Sequence, residues 1–468
     1  MVKTWAIAGV DLHLDLTGTR RRAALESALR EAVATGRLMP GTRLPSTRSL
    51  AADLGIARNT VADAYSQLVA EGWLAAQSGA GTRVAARAPG DGRPADPVRP
   101  CGAERPLRYD LRPGTPDLSM FPRARWLAAA RAALGDAPDD AFGYGHPQGL
   151  PQLRSALAEY LARARGVRTG PERIIICAGF SHAFWLVCAL LRGRGARRLA
   201  IERYLGNGTR AAAAASGLEL TSVPVDRAGA SIDALGRADG VLLTPAHQFP
   251  LGGALSPERR ARVGEWAKRT DALIIEDDYD GEFRYDRHPI GALQALAPEH
   301  TIYIGTASKT LAPGLRLAWL AAPERLVEEL LAGGEHAHRG VNTLEQLALA
   351  HFIRSGAYDR HIRRCRIGYR RRRDRLLATL GAEAPSVRVS GIAAGLHAMV
   401  ELPAGIGERE VIAAAADREL ALEGLAAYAD GETGANQALV IGYGTPPEHA
   451  YGAALARLSA TLAEALGA

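Results

Sequence analysis

The segment GTASKTLAPGLRLAWL (305–320) places a lysine between two apolar stretches that read as β-strands. Lysine is scarce in this chain, because of its 57 lysine and arginine residues only Lys3, Lys268 and Lys309 are lysines. An amine can lose its proton near neutral pH and form a Schiff base with a carbonyl compound, which a guanidinium cannot do. Lys309 is therefore a candidate covalent anchor for a carbonyl cofactor; the alternative is an ordinary surface lysine.

Length and composition bound the classes of protein that need to be considered. The chain has 468 residues, of which 47% are hydrophobic, so roughly two to four domains with large cores are expected. Its net charge of +7 permits an acidic partner without proving one. No apolar run approaches the roughly 20 residues of a membrane span, and no signal peptide is predicted. Four cysteines without metal-ligand spacing favour a reduced cytoplasm (Cys101, Cys177, Cys188 and Cys365).

A break in composition divides the chain. The stretch ARAPGDGRPADPVRPCGAERPLR (86–108) is rich in proline and glycine and poor in aliphatic residues, which is typical of a linker. We therefore predict an N-terminal domain at 1–86, a linker at 87–108, and a second domain at 109–468, with a large part at about 120–325 and a small part at about 326–468.

The N-terminal domain reads as three helices followed by a hairpin. The predicted helices run from about Thr19 to Thr35, from Thr47 to Leu54 with Ser46 as N-cap, and from Arg58 to Glu71. Two short strands then flank Gly79 and Gly81. Helix, turn, helix and glycine-tipped hairpin is the arrangement of a winged helix-turn-helix, which predicts binding to double-stranded DNA.

Polar residues occur at the positions where such a domain would contact DNA. Arginine and asparagine at the start of the third helix can hydrogen-bond to base edges, while Thr60 and Arg43 can contact phosphates. The candidate DNA-binding residues are Arg43, Ser46, Thr47, Arg48, Arg58, Asn59, Thr60 and Arg83. The alternative is a small helical packing domain with solvated arginines.

The second domain alternates strand-like and helix-like runs from about 140 to 320. This alternation predicts a mostly parallel α/β sheet covered by helices. Longer helices follow, and then three strand-like runs, VRVS (387–390), LHAMVEL (396–402) and ALVIGY (438–443), predict a second, smaller α/β part.

Candidate ligand-binding groups follow several of these strands, at the carboxyl edge where α/β sheets bind ligands. Asp277 ends a buried strand and could keep the ring nitrogen of a phosphorylated aldehyde protonated, which makes the ring an electron sink. Tyr279 could hydrogen-bond to the ring phenolic oxygen, and Tyr204 could stack on the ring. Lys309 follows the next strand.

Phosphate-binding groups are predicted at the same edge. Gly179, Phe180 and Ser181 connect a strand to a helix N-terminus, where free N–H groups favour an anion. Hydroxyls and a guanidinium near the lysine would neutralise the phosphate; these are Thr306, Ser308 and Arg316.

Each residue also has a simpler explanation. The acidic run EDDYDGE (276–282) could bind a divalent metal, but no matching ligands are evident nearby, so no metal site is predicted. Arg316 could form an ion pair at a sheet edge, and Tyr204 could be a core residue. Gly179 could be no more than the turn at the start of a helix.

Taken together, the motifs resemble a known family. The second domain is similar to the aminotransferase-like part of MocR-type transcriptional regulators. The segments that carry this similarity are ASKTLAPGLRLAW, EDDYDGEFRY, TPAHQFPLGG, FGYGHPQGLPQLR and AGFSHAF. PGTRLPSTRSLAADLGIARNTVADAYSQLVAEGWL (40–74) resembles the GntR-type winged helix that precedes it in that family. The resemblance covers nearly the whole chain in the right order.

The resemblance implies a fold-type I domain that binds pyridoxal 5'-phosphate, with Lys309 as the Schiff-base lysine. It implies Asp277 and Tyr279 at the ring, Tyr204 stacked on it and Arg316 at the phosphate. It also implies a homodimer, with each DNA-binding domain packed on the partner subunit.

The chain departs from the family pattern at several places. Ala57 stands where a serine often caps the recognition helix, His146 stands where an aspartate is usual, and ERYLGN (202–207) replaces a turn with proline and glycine. No arginine or lysine occurs from Glu419 to Ala456, where related enzymes hold a substrate carboxylate. The effector could therefore be an amine without an α-carboxylate, could bind another arginine, or could be pyridoxal phosphate itself.

A further basic segment is RHIRRCRIGYRRRRDRL (360–376), with nine arginines on a predicted helix. It could contact DNA or the other domain, or be a solvated helix face, which is the commoner case.

Three functions are compared. The first is a cytoplasmic transcriptional regulator that binds operator DNA as a dimer and senses a small-molecule effector through pyridoxal phosphate. The second is an active aminotransferase with an accessory DNA-binding domain, for which Lys309 could also transfer protons. The third is a cofactor-free scaffold, which the lysine among so many arginines argues against. The missing arginine favours the regulator, because turnover depends on an oriented substrate.

Overall fold

The computed structural model describes two compact units, Met1–Arg105 and Pro106–Ala468. The described residues are 3–7, 10–14, 21–77, 81–86, 107–286, 290–334, 341–431 and 437–467. The predicted linker at 87–108 therefore lies almost entirely outside them, as does Cys101. The other three cysteines are buried and free.

The described residues of the N-terminal unit form three helices and two strand pairs. Its elements are β1 (Lys3–Ile7), β2 (Val10–Leu14), α1 (Arg21–Ala34), α2 (Thr47–Leu54), α3 (Arg58–Ala70), β3 (Leu74–Gln77) and β4 (Gly81–Val84). The β1–β2 and β3–β4 pairs are both antiparallel. The predicted winged helix is confirmed, and the β1–β2 pair lies in a segment for which the sequence predicted no strand.

Buried side chains of the three helices and of the β3–β4 pair form one core. Leu25 and Leu29 of α1 pack with Leu50 of α2 and with Val61 and Leu68 of α3, and all five side chains are buried. The i, i+4 spacing of the leucines on α1 explains why one face of that helix enters the core. The Tyr65 hydroxyl also donates to the Pro45 carbonyl at 3.1 Å, which ties α3 to the turn before α2.

The two helices of the helix-turn-helix begin differently. Ser46 Oγ accepts a hydrogen bond from the Ser49 N–H at 3.1 Å and caps α2, whereas Ala57 at the start of α3 has no side chain that can do so.

We expect Ala57→Ser to stabilise α3 by about 1 kcal/mol, because it satisfies one free N–H of the first turn. Amide hydrogen exchange of α3 measures this change, and Ala52→Ser on the exposed side of α2 is the control. Unchanged protection of α3 would contradict it.

The second unit has strands β5 to β18 and helices α4 to α13. The strands are β5 (Tyr109–Asp110), β6 (Ile174–Cys177), β7 (Arg198–Glu202), β8 (Glu219–Val223), β9 (Val225–Asp226), β10 (Gly229–Ala230), β11 (Gly240–Leu243), β12 (Leu273–Asp278), β13 (Thr301–Thr306), β14 (Ala318–Ala321), β15 (Arg388–Ser390), β16 (Ala398–Glu401), β17 (Leu420–Ala421) and β18 (Ala438–Ile441). The helices are α4 (Arg123–Gly135), α5 (Pro151–Arg165), α6 (Phe180–Gly193), α7 (Asn207–Ala215), α8 (Pro257–Thr270), α9 (Glu324–Gly334), α10 (Thr343–Arg354), α11 (Ala357–Glu383), α12 (Glu408–Asp417) and α13 (Glu448–Ala465).

A seven-stranded sheet forms the centre of this unit, with the strand order β6-β14-β13-β12-β11-β7-β8. Its strands are parallel except for β14, which is antiparallel to both β13 and β6. Because β11, β12 and β13 are buried between helices, they consist almost entirely of apolar residues until their carboxyl ends. Polar residues occur at or directly after these carboxyl ends, which lie next to one another in the sheet.

A smaller sheet, with the order β15-β16-β18, packs with α11, α12 and α13 around its own core. The mostly parallel sheet and the second, smaller α/β part are thus both confirmed. Within the described residues, no helix is long and apolar enough to cross a membrane.

Candidate functional site

A cavity of about 240 Å³ opens at the carboxyl edge of the central sheet. It is lined by residues at the ends of β12 and β13 and by residues that follow β7, β11, β12 and β13, together with residues of the small part. Its lining is formed by Gly114, Phe180, Leu205, Gly206, Thr209, Thr244, Phe249, Asp277, Tyr279, Thr306, Ser308, Lys309, Leu396 and His397. Six of the residues named from the sequence thus meet there, five from the ends of β12 and β13 and one, Phe180, from the first turn of α6.

Lys309 lies in the loop after β13, half-buried, and its Nζ donates to the Gly114 carbonyl oxygen. Burial lowers the pKa of Lys309, and the charges of Asp277 and Asp280 partly oppose that shift. A lower pKa raises the fraction of neutral amine, which is the form that attacks a carbonyl carbon.

Asp277 lies near the end of β12 and offers an unused acceptor. Its Oδ1 is buried and has no hydrogen-bond partner among the described residues. Burial raises the pKa of Asp277 well above its usual range, with a further contribution from the charge of Asp278, while Lys309 opposes the shift. A buried carboxylate oxygen without a donor is costly. A protonated ring nitrogen would provide both the missing donor and a compensating positive charge.

Tyr279 lines the same cavity, and its hydroxyl lies 3.1 Å from His247 Nδ1. Burial, followed by the charges of Asp280 and Asp277, raises the pKa of Tyr279 well above its ordinary value. The hydroxyl therefore stays protonated at neutral pH and can donate to a ligand oxygen.

The groups predicted to bind phosphate lie at the start of α6. Gly179 has φ of 94°, and a Cβ at this position would lie 3.1 Å from the guanidinium carbon of Arg316. Arg316 itself adopts the left-handed conformation, with φ of 53°, and among the described residues it pairs with no carboxylate. Such strained backbone is concentrated at functional sites. The guanidinium is thus held against the N-terminus of a 14-residue helix, an arrangement that suits an anion.

Two hydroxyls complete this region. Thr306 Oγ1 accepts from the Ser308 N–H at 3.1 Å and lies 2.8 Å from Ser308 Oγ. Both residues line the cavity, whereas Gly179, Ser181 and Arg316 lie outside its lining. Ser181 is exposed on the first turn of α6.

The structure corrects the position expected for Tyr204. Its side chain packs against Met399, Leu425 and Ala438 and lines a separate cavity of about 530 Å³. Consecutive residues of an extended segment point to opposite sides, and it is the next residue, Leu205, that lines the Lys309 cavity. Tyr204 is therefore not placed to stack on a ring beside Lys309.

Several residues in or next to the cavity were not singled out from the sequence: Phe249 and His397 line it, while His247 and Asp280 lie next to Tyr279. His247 and Phe249 lie in the loop after β11, Asp280 follows β12, and His397 precedes β16. The motif TPAHQFPLGG (244–253) contained two of them, but a sequence motif alone does not tell which of its side chains face a ligand.

The acidic run at the end of β12 is divided among separate protein partners. Asp278 forms a bidentate ion pair with buried Arg165, at 2.6 and 3.0 Å. Glu276 accepts from the N–H groups of Leu293 and Gln294. The carboxylates therefore do not converge on one ion. Within the described residues, the group with the composition of a metal site is instead His247, Asp280 and His397.

The DNA-binding candidates form an exposed set on the N-terminal unit. Arg43, Ser46, Arg48, Arg58, Asn59 and Arg83 are exposed, and Thr47 and Thr60 are half-buried. Backbone pairing brings Arg43 next to Arg83, whose guanidinium donates to the Gly41 carbonyl oxygen at 3.0 Å.

The arginines of this unit differ in their ion pairing. Arg22, Arg30 and Arg37, on and just after α1, all lie within 4.0 Å of glutamate carboxylates. In the described part of the chain, no carboxylate pairs with Arg48 or Arg58, at the starts of α2 and α3. Among the described residues, Arg48 and Arg58 thus place positive charge without a carboxylate partner at the two helix starts, and Arg43 and Arg83 do so beside the hairpin.

The arginine-rich helix predicted at 360–376 is part of α11, and several of its arginines have structural partners. Arg372 is buried, forms ion pairs with Asp117 and Glu448, and lies over the rings of Tyr369 and Tyr451. Arg364 and Arg366 donate to backbone carbonyls. These contacts favour a helix that organises its own unit.

Comparisons with known proteins agree with both halves of this description. Bacterial regulatory proteins of the gntR family match residues 21–84, and aminotransferase class I and II matches residues 116–423. The chain is 35% identical to the HTH-type pyridoxine biosynthesis transcriptional regulator PdxR of Corynebacterium glutamicum, over 93% of this chain and 94% of that protein. It is 34% identical to the probable rhizopine catabolism regulatory protein MocR of Rhizobium meliloti, over 74% of each.

This chain belongs to the MocR-type transcriptional regulators. Its second unit also resembles LysN, an α-aminoadipate aminotransferase of Thermus thermophilus that was solved with N-(5'-phosphopyridoxyl)-L-leucine. That match has a TM-score of 0.68 and 25% identity, and covers 78% of this chain and 94% of LysN. A MocR-type regulator thus combines a DNA-binding unit with the fold of enzymes that use pyridoxal phosphate.

The Lys309 loop of this MocR-type regulator is supported by a buried histidine. His361 Nε2 lies 2.7 Å from the carbonyl oxygen of Thr310, and burial lowers the pKa of His361 to about 4 from its ordinary value near 6.5. The unfolded chain takes up this proton near pH 6.5 and the folded chain only near pH 4. The free energy of unfolding should therefore decrease as the pH falls through this window, by up to about 3 kcal/mol.

Urea unfolding above and inside that window measures this dependence. The variant His361→Gln should lose part of it, because glutamine does not titrate. An identical pH dependence in both proteins would contradict the assignment.

Proposed function

We propose that this MocR-type regulator binds pyridoxal phosphate covalently at Lys309 and uses it to sense a small amine, an amino acid or pyridoxal phosphate itself. The observation that carries the proposal is the buried Oδ1 of Asp277, which has no hydrogen-bond partner among the described residues and belongs to the cavity that Lys309 and Tyr279 also line. These three groups match the ring nitrogen, aldehyde and phenolic oxygen of one small molecule.

Each residue has a distinct role in this proposal. Lys309 supplies the amine that joins the aldehyde carbon, and Asp277 keeps the ring nitrogen protonated. Tyr279 donates to the phenolic oxygen. Gly179, Thr306, Ser308 and Arg316 bind the phosphate next to the first turn of α6. When bound, the cofactor supplies an aldehyde that exchanges reversibly between Lys309 and a ligand amine.

The lining of the cavity bears on the effector. Among its described residues there is no arginine, and Phe180, Leu205, Phe249 and Leu396 give it apolar walls. Apolar walls favour a ligand whose amine is its main polar group. The relative named for pyridoxine biosynthesis also makes pyridoxal phosphate a candidate effector.

The N-terminal unit would bind operator DNA, and the regulator would act in the cytoplasm as a homodimer. Exposed apolar side chains of the second unit support the dimer, and they include Leu127, Leu134, Phe142, Tyr144 and Leu344. Tyr144 and Leu344 belong to segments that lie close together in space, because a Cβ at Gly145 would lie 3.8 Å from Thr343 Oγ1. Sedimentation should give twice the 49.5 kDa mass of the chain.

One experiment tests the central proposal. The protein loaded with pyridoxal phosphate is titrated with amines, amino acids and pyridoxal phosphate, while its absorbance and its binding to its own upstream DNA are followed in parallel. An effector should change both signals over the same concentration range. Steady transamination with a keto acid at enzyme-like rates would instead favour an active aminotransferase. Failure to shift the DNA at physiological salt would contradict the DNA-binding role.

A further inference from the structure

Behind Tyr279 lies a buried group of side chains that the proposed cofactor binding leaves unexplained. His247 Nδ1 is 2.8 Å from Asp280 Oδ2, and the same nitrogen is 3.1 Å from the Tyr279 hydroxyl. The side chains of His247 and Asp280 are 2% and 1% exposed, so the two groups hydrogen-bond to each other and not to bulk water.

The position of one hydrogen follows from these contacts. A carboxylate oxygen can only accept, so the hydrogen between His247 and Asp280 belongs to His247 Nδ1. That nitrogen then has no lone pair for the Tyr279 proton, and the tyrosine oxygen can only accept from it. Tyr279 therefore keeps its own proton for another acceptor, and Tyr279 is one of the residues that line the Lys309 cavity.

Asp280 competes for that proton, because its charge and a side-chain hydrogen bond with Asp280 both raise the pKa of Tyr279. Pairing with His247 occupies the carboxylate and reduces this competition. The pair is also closely confined, because a Cβ at Gly395 would clash with both the His247 ring and the Asp280 carboxylate.

His397 does not replace Asp280 as the partner of His247. Its Nε2 lies 3.1 Å from the Pro250 carbonyl oxygen, to which it donates, and its ring centre is 5.0 Å from that of His247. Burial, together with the charge of His247, lowers the pKa of His397 well below its ordinary value, so this imidazole is neutral.

The distance between His247 and Asp280 fits a shared proton better than a bound metal ion. Two ligands that bind zinc at 2.0–2.1 Å in a tetrahedron lie roughly 3.3 Å from each other. The contact of 2.8 Å between His247 and Asp280 is the length of a charge-assisted hydrogen bond.

We propose that His247 and Asp280 are positioning residues that hold the Tyr279 hydroxyl as a hydrogen-bond donor toward the ligand at Lys309. This inference rests on the proposed binding of pyridoxal phosphate. A donor at the phenolic oxygen weakens the hold of that oxygen on the proton that it shares with the lysine nitrogen. The proton is therefore lost at a lower pH when Tyr279 donates.

The test is a pH titration of the visible band of the full-length protein with bound pyridoxal phosphate. The charged and titratable groups around Tyr279 are His247, Asp280, Asp277, Glu202, His397 and Lys309, and the variants alter only the first two and Tyr279 itself. His247→Gln should retain bound pyridoxal phosphate and raise the midpoint by about one pH unit, a tenfold change in proton affinity. Asp280→Asn should act in the same direction and serves if the first variant fails to fold. His351→Gln, at an exposed position on α10, should leave the midpoint unchanged.

A double-mutant cycle separates positioning from a general effect. Tyr279→Phe should raise the midpoint at least as much, and His247→Gln should add little in the Tyr279→Phe background, because both changes remove the same donor. Fully additive shifts of the midpoint in the double variant would overturn the proposal. An unchanged midpoint in both His247→Gln and Asp280→Asn would also overturn it. So would one equivalent of a tightly bound metal in the purified protein. If the wild-type protein shows no visible band with pyridoxal phosphate, it is the proposed function that fails.

Discussion

Replacement of Lys309 by arginine is expected to abolish the visible absorbance that the protein acquires with pyridoxal phosphate. The substitution keeps the positive charge near Asp277 but removes the amine that can join an aldehyde, because a guanidinium does not deprotonate at neutral pH. The expected effect is complete loss of covalent binding rather than a change in affinity. Borohydride reduction followed by peptide mass spectrometry measures it directly, since the phosphopyridoxyl group should be found on Lys309 of the wild-type protein.

The chain provides a matched control for this substitution. Lys268 is an exposed lysine on α8 that pairs with Glu265, so Lys268→Arg changes the same chemical group away from the cavity. That variant should bind pyridoxal phosphate like the wild-type protein. A yellow Lys309→Arg protein, or a label found on Lys268, would show that the wrong lysine has been assigned.

Replacement of Arg58 by alanine is expected to weaken operator binding by about tenfold to a hundredfold. Arg58 opens the third helix of the winged helix, is exposed, and has no carboxylate partner among the described residues. An arginine that pairs with a base or phosphate contributes roughly 1–3 kcal/mol, which corresponds to this range. Arg48→Ala should act similarly at the start of α2. Quantitative gel shifts with the upstream DNA at fixed salt measure both effects.

Controls for the DNA experiment lie on α1. Arg22 is half-exposed, but it forms a hydrogen-bonded ion pair with Glu26, so Arg22→Ala removes the same charge away from the α2 and α3 starts. Its effect should be no more than about twofold. The salt dependence distinguishes the type of contact, because losing one phosphate contact lowers the slope of log affinity against log salt by about one. Equal losses for Arg22→Ala and Arg58→Ala would point to net charge rather than to a defined surface.

Much of the fold could be predicted because local patterns act at short range. The boundaries of α2 and the start of α3 follow from Ser46, Gly55 and apolar spacing within single helices. The strands β12 and β13 are short apolar runs that end in polar residues, and parallel strands bring those ends together. Asp277, Tyr279, Thr306, Ser308 and Lys309 could therefore be assigned to one cavity.

Tyr204 shows where this reasoning stops. A difference of one residue along an extended segment reverses the direction of a side chain, so the sequence could not tell whether Tyr204 or Leu205 faces the lysine. Only the path of the backbone after β7, where Tyr204 pairs with Ala429, sends the tyrosine into its own apolar cluster. A core position for this tyrosine was one of the two sequence-based interpretations, and the tertiary structure selects it.

The sequence by itself determined the order of the two units, the parallel sheet and the single lysine suited to covalent chemistry. These properties depend on composition, periodicity and residue type, which are local. Only the tertiary structure decided that His247 meets Asp280 and Tyr279 across more than 30 residues, and that Asp277 Oδ1 is buried without a partner among the described residues. Hydrogen-bond partners and burial depend on small differences in distance between separate segments. Those distances are set by strand register and by packing of the whole unit.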